Sequence, residues 1–254
     1  MYKKVPKRKK IYKKFLYSFS KIFLKPIDSI FNLTLRANFL ERFLQLHRQN
    51  YKICKNKLYF IHIPKTGGTT FHQILQKNLK TKLFNFNYPY NYDFNTHNPL
   101  PKNINLKNKN FVTILRNPLN RVYSFYIDQL RNKKGRYHNL AKKGLKNFCD
   151  KCWESNNLYC RYFSGDLHLA SKIYFEKAKK NLKDFNDVLI FENLNQEINN
   201  YIKKYNFKKK WLTKNKKKYS PPSQENLQII KKYNANDLRL YKFILNLKKV
   251  IEKY

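Results

Sequence analysis

The run Phe60-Ile61-His62-Ile63-Pro64-Lys65-Thr66-Gly67-Gly68-Thr69-Thr70-Phe71 constrains this chain more than any other. Its apolar start, its Gly-Gly pair and the two threonines that follow predict a buried strand, a tight turn and a helix start. The chain has five glycines in 254 residues, and two of them stand side by side here. Such a turn lets backbone N–H groups converge on an anion, because glycine has no Cβ to block the approach. A helix opened by Thr69 and Thr70 favours phosphate or sulfate at its N-terminus through its dipole and its amides. Lys65 adds a point charge that can follow negative charge onto a leaving oxygen. The order differs from a Walker A loop, where the lysine follows the last glycine. The competing reading is a tight turn that happens to hold a lysine, and the agreement of strand, turn and helix signals weighs against it.

A second segment has the same layout. Phe111-Val112-Thr113-Ile114-Leu115 reads as another buried strand, ended by Arg116-Asn117-Pro118. Pro118 suits the first position of a helix, where its missing N–H has no partner to lose. Apolar residues at 119, 122, 123, 126, 127 and 130 then give a helix with one buried face. Arg116 thus stands at the C-terminal end of a strand, where open α/β sheets bind ligands, and Ser124 lies on the helix behind it. A guanidinium fork and a hydroxyl make a phosphate clamp. Alone, Arg116 would read as a surface arginine; paired with the first segment it reads as part of a site.

Together, I-P-K-T-G-G-T-T-F and T-I-L-R-N-P-L-N-R-V-Y-S-F-Y resemble the two signature segments of the sulfotransferases, nearest the carbohydrate branch that includes the heparan 2-O-sulfotransferases and bacterial members. The resemblance covers residues 56 to 245. It implies that Lys65, Thr66, Gly67, Gly68, Thr69 and Thr70 hold the 5′-phosphosulfate of 3′-phosphoadenosine 5′-phosphosulfate (PAPS). It implies equally that Arg116 and Ser124 hold the 3′-phosphate. Asn157-x-x-x-Arg161-x-x-x-Gly165 is similar to a family segment near the nucleotide, which makes Arg161 and Tyr162 cofactor or acceptor contacts. Glu192 matches a glutamate that follows the family's last strand and implies a structural role, bonding the phosphate loop or a helix end.

Transfer of a sulfuryl group to an alcohol calls for a base, and histidine suits that task near neutral pH. Six are available: His47, His62, His72, His97, His138 and His168. His97 is the expected base. It follows a short strand-like run and precedes Asn98-Pro99, and its position between the two PAPS segments resembles the family's. Thr96 stands where bacterial relatives often have glycine. The competing reading is a turn histidine without a role. His72, two residues past the turn, is the second choice, unless its protonated form holds phosphate instead. His62, inside the first strand, reads as core or pocket wall. The reaction needs no metal.

Composition sets the remaining bounds. The chain fits one domain of residues 56–254 with a basic extension of residues 1–55. With 42% hydrophobic and 17% aromatic residues it can fill a core. Its net charge of +40 would ordinarily suggest nucleic acid or an anionic membrane. Lysine, asparagine, isoleucine, tyrosine and phenylalanine are inflated together, however, as codon bias produces, so most lysines are expected on a solvated surface and no specific nucleic-acid partner is expected. The field still speeds the approach of a polyanionic donor or an acidic glycan.

Met1 to Lys14 is a lysine-rich arm, and Phe15 to Leu46 suits one or two amphipathic helices, lying either on a membrane surface or on the core. No 18-residue apolar stretch and no secretory signal pattern is present, which predicts a cytoplasmic protein, peripheral at the inner membrane face if the extension binds lipid. Cys149-x-x-Cys152 has zinc-like spacing but lacks a second ligand pair, so Cys54, Cys149, Cys152 and Cys160 are expected as free thiols.

Strands at 58–63, 111–115 and 187–191, with short ones near 83–86 and 93–96, alternate with helices at 69–79, 118–132, 145–154, 168–181, onward to about 205, after Ser223, and at 236–252. This predicts a three-layer α/β fold with four or five parallel strands and a P-loop-like phosphate turn after the first. Two other functions compete with sulfuryl transfer. A nucleotide kinase with a variant loop needs an acidic Mg²⁺ ligand at a strand end, where Arg116 stands instead. A non-catalytic nucleic-acid binder fits the charge but not the glycine turn.

Overall fold

Three short runs of β-branched and aromatic residues pair into one parallel sheet. A computed structural model describes residues 58–78, 99–100, 105–106, 110–165, 172–207 and 220–251. Among these, strands β1 (Leu58–Ile61), β2 (Asn110–Leu115) and β3 (Asp187–Ile190) lie in the order β1–β2–β3. The register sets Ile61 beside Thr113 and Leu115 beside Ile190. The helices are α1 (Gly68–Asn78), α2 (Pro118–Arg131), α3 (His138–Lys142), α4 (Leu145–Lys151), α5 (Leu158–Ser164), α6 (Lys172–Lys183), α7 (Leu194–Lys204), α8 (Gln224–Tyr233) and α9 (Ala235–Ile251).

Alternating side chains along the strands divide the core between the two faces of the sheet. Tyr59, Ile61, Phe111, Leu115 and Ile190 pack with residues of α5, α6 and α9. Leu58, Phe60, Val112, Ile114 and Leu189 pack with Phe71, Ile74 and Leu75 of α1 and with Ile198 and Tyr201 of α7. The chain is therefore α/β and largely helical, with a small open parallel sheet covered on both faces. The two short strands expected near 83–86 and 93–96 lie outside the described residues, as does the basic extension.

Local signals placed most helices to within a few residues. Asn117 caps α2, its Oδ1 accepting the Leu119 N–H at 3.0 Å, with Pro118 in the first turn as expected. Ser223 caps α8 by accepting the Asn226 N–H at 3.2 Å. Besides α5, for which the sequence reading has no helix, two regions differ from expectation. The lysine-rich stretch 133–144 contains α3 instead of being loop throughout, because Leu140 and Ala141 find an apolar seat beside Phe125 and Phe148. The helix expected over 145–154 stops at Lys151, where buried Ser155 brings its Oγ 2.6 Å from the Cys152 carbonyl and closes the end with a 3₁₀ turn.

Cys149, Cys152 and Cys160 are buried thiols, as expected for these three positions. Burial pushes the Cys149 thiol up to about 12, outweighing its hydrogen bond with Ser155 and the nearby Arg121 charge. Burial likewise raises Cys160, helped by the Asp237 carboxylate. Since the thiolate is the reactive form, native protein at pH 8 will leave Cys149 and Cys160 unalkylated by iodoacetamide, and denaturant will expose both. Peptide mapping by mass spectrometry reads this directly; native alkylation of either would show that the α4–α5 core opens. Among the described residues no group of three or more His, Cys, Asp or Glu is placed to hold a metal, and no helix is long and apolar enough to cross a membrane.

Candidate functional site

Because β1 and β2 are parallel neighbours, the chain leaves both at the same edge of the sheet. At the end of β1, residues 62–67 reverse direction into α1. Lys65 takes a left-handed conformation (φ +69°) and so does Gly67 (φ +84°). For a lysine this costs of order 1–3 kcal/mol, so the surroundings must hold it. Thr66 is fully buried and donates its hydroxyl to the Ile63 carbonyl at 2.9 Å, pinning the turn from inside. The N–H groups of Thr70 and Phe71 both reach the Gly67 carbonyl, at 3.1 and 3.4 Å. Gly68 and Thr69 thus provide the amides of the first turn that have no helical acceptor.

The glycine pair also has a steric role within the protein. A Cβ on Gly68 would run into the His62 ring, and one on Gly67 would meet Leu194 at 2.9 Å and Phe191 at 3.0 Å. On the Cβ side of each glycine the space is filled by protein. His62 is half-buried and stacks on Phe60, which fits its reading as a wall residue.

Arg116, at the end of β2, reaches the turn directly. Its Nη1 donates to the Lys65 carbonyl at 3.1 Å, and its guanidinium lies 4.4 Å from the centre of the Phe191 ring. Its backbone is clasped by Tyr159 of α5. The Arg116 N–H donates to the Tyr159 hydroxyl at 3.1 Å, and that hydroxyl donates to the Arg116 carbonyl at 2.6 Å. Glu192, just past β3, accepts the Asn117 N–H at 2.8 Å and the Tyr241 hydroxyl at 2.7 Å. It therefore braces the start of α2 and ties it to α9. The two predicted segments are in contact, and three strand ends converge on one corner.

Ser124 is buried on α2. One turn further, Asp128 pairs with Lys65, Nζ to Oδ1 3.0 Å. Residues four apart share a helix face, so Ser124 and Asp128 both lie on the side of α2 that meets the Lys65 turn. Sequence reasoning missed Asp128. The spacing from Ser124 was the available signal, joined to the rarity of acid in a chain with 15 Asp and Glu against 55 Lys and Arg.

Arg161 is held locally, its Nε donating to the Asn156 carbonyl at 3.0 Å, and Tyr162 is buried in the core. From this segment it is Tyr159 that meets Arg116. His97 lies outside the described residues. His72, on α1, is half-buried, and burial lowers its pKa, which favours the neutral imidazole at pH 7. A neutral ring can accept a proton; the protonated, phosphate-holding role is the less favoured one.

No protein-family model matches the chain, and a search of curated proteins finds no match.

Proposed function

We propose that this protein is a PAPS-dependent O-sulfotransferase acting on a hydroxyl of a carbohydrate. The observation that carries the reading is the hydrogen bond from Arg116 Nη1 to the Lys65 carbonyl, which joins two anion-binding segments 51 residues apart at adjacent strand ends. In this reading the turn 62–67 is the P-loop-like phosphate turn of a sheet of four or five strands. Lys65, with Thr66, Gly67, Gly68, Thr69 and Thr70, surrounds the 5′-phosphosulfate. Arg116 and Ser124 take the 3′-phosphate, and Arg161 lies further along the nucleotide.

The chemistry is an in-line displacement. An acceptor oxygen forms a bond to sulfur as the bond from sulfur to the phosphate oxygen breaks. Lys65 stabilises the charge that collects on that departing oxygen, and His97 takes the acceptor proton. The products are a sulfate ester and adenosine 3′,5′-bisphosphate. The chain needs no metal for these steps, since positioning and fixed charge lower the barrier. A cytoplasmic location, with residues 1–55 against an anionic membrane face, accompanies the proposal.

A kinase is less well supported. Glu192, the acid just past β3, already has both carboxylate oxygens engaged, by Asn117 and Tyr241, and Asp128 pairs with Lys65. A thermal-shift comparison separates the two: adenosine 3′,5′-bisphosphate will raise Tm, and ATP with Mg²⁺ will raise it less. Stabilisation by ATP with Mg²⁺ alone would overturn the sulfotransferase reading in favour of the kinase. Salt-sensitive duplex binding without any bisphosphate effect would favour the nucleic-acid reading.

A further inference from the structure

We propose that Asp128 is a built-in competitor of the donor: it occupies Lys65 in the free protein and is displaced by the anionic 5′ group on binding, so that it sets donor affinity. This inference rests on the sulfotransferase reading of the same site.

Three observations lead to it. First, Lys65 Nζ and Asp128 Oδ1 are 3.0 Å apart, and both side chains are partly open to water, at 30% and 46%. A pair so placed is weak and exchanges readily. Second, the lysine backbone is fixed by its left-handed φ of +69° and by the bond from Arg116 to its carbonyl, whereas its four-carbon stem is free to turn. The ammonium can therefore change partner without moving the turn. Third, Asp128 does nothing else that the fold requires. Its backbone carbonyl receives the Asn132 N–H at 3.0 Å and so closes α2, while no other hydrogen bond or ion pair of its carboxylate is found among the described residues.

The donor's 5′ group offers more negative charge and more acceptor oxygens than one carboxylate, so it wins the lysine. Part of the attraction is offset by the Lys65–Asp128 contact that must break, and the freed carboxylate then repels the bound anion. Removing the carboxylate removes both penalties. Asp128 is thus a positioning residue for Lys65, and its expected signature is tighter donor binding when it is neutralised.

The test is a double-mutant cycle on the full chain, read by calorimetric titration with adenosine 3′,5′-bisphosphate. Asp128→Asn will tighten binding by about two- to fivefold, the strength of an exposed ion pair. Lys65→Met will weaken binding, and in the Lys65→Met background the Asp128→Asn change will have little further effect. Equal tightening in both backgrounds would overturn the inference, because it would show a general charge effect with no role for the contact. Unchanged or weaker binding by Asp128→Asn would overturn it too. In either case bisphosphate binding by the wild type would leave the sulfotransferase reading standing. Wild-type protein that binds no bisphosphate would reject that reading, and this inference with it.

Discussion

Lys65→Ala will lower kcat for sulfuryl transfer from labelled PAPS by roughly 10²–10³-fold, the usual loss when one preorganised charge at a departing oxygen is removed. The turn should survive the change. Its left-handed residue is held by the backbone, through the Arg116 bond to the Lys65 carbonyl, and by the buried Thr66 hydroxyl on Ile63. Neither bond uses the lysine side chain. The donor KM will rise as well, because the lysine already meets the 5′ group in the bound state, and the larger loss in kcat reports the charge that collects in the transition state. Arg116→Ala will behave differently. It removes the proposed 3′-phosphate fork and also the bond that braces Lys65, so donor KM rises by at least about tenfold and kcat falls as well. Wild-type kcat in Lys65→Ala would remove the lysine from the chemistry. An unchanged donor KM in Arg116→Ala would remove the arginine from the donor site.

The frame of the site was legible because it rests on short-range rules. Two apolar runs ending in a glycine pair and in Arg-Asn-Pro announce two strand–turn–helix units, and the Asn117 cap with Pro118 behind it is a local device. Three strands and most helices followed from the same rules, with errors at ends that tertiary packing decides, such as the Ser155 closure of α4. Contacts between distant residues were not legible. Nothing local in the sequence tells that Tyr159 clasps Arg116 from 43 residues away, or that Asp128 answers Lys65. The glycines carry a second need beside the one legible locally: Gly68 is required by the ring of His62, six residues earlier, which a pattern of residue types cannot disclose. Arg121 shows the same limit. Its place in an exposed-looking R-N-P-L-N-R run gives no hint that it is fully buried, with Nη2 donating to the Glu154 carbonyl at 2.9 Å and its guanidinium 5.6 Å from the Tyr159 ring centre.

That buried arginine leads to the largest expected loss of stability, through Asp237. The two helices α5 and α9 cap each other. Asp237, at the start of α9, accepts the Tyr159 and Cys160 N–H groups of α5 at 2.8 and 2.9 Å. Asn157, preceding α5, accepts the Asn236 and Asp237 N–H groups of α9 at 3.0 and 3.1 Å. Asp237 is fully buried, and burial pushes its carboxyl above the usual range, while the two amides and the Arg121 guanidinium act to hold it charged. The Arg121 Nε and Nη1 find no hydrogen-bond partner among the described residues, so the carboxylate is the nearby charge that compensates this cation. Asp237→Ala would leave two buried amides unsatisfied and that cation unbalanced. The expected cost is about 3–5 kcal/mol, from two buried amides left without acceptors and the loss of a neighbouring countercharge. It should appear as a fall in Tm of roughly 6–20 °C and in the urea midpoint, with Asp237→Asn losing less because its amide oxygen keeps one acceptor. The effect should also reach the site. Tyr159 stands in the first turn of α5, and its hydroxyl clasps Arg116, so loosening that turn releases the arginine backbone at the edge of the sheet. Asp237→Asn, assayed well below its Tm, should therefore bind adenosine 3′,5′-bisphosphate more weakly than wild type. A fall in stability with unchanged bisphosphate affinity would separate the α5–α9 clasp from the strand-end corner and confine Asp237 to the core.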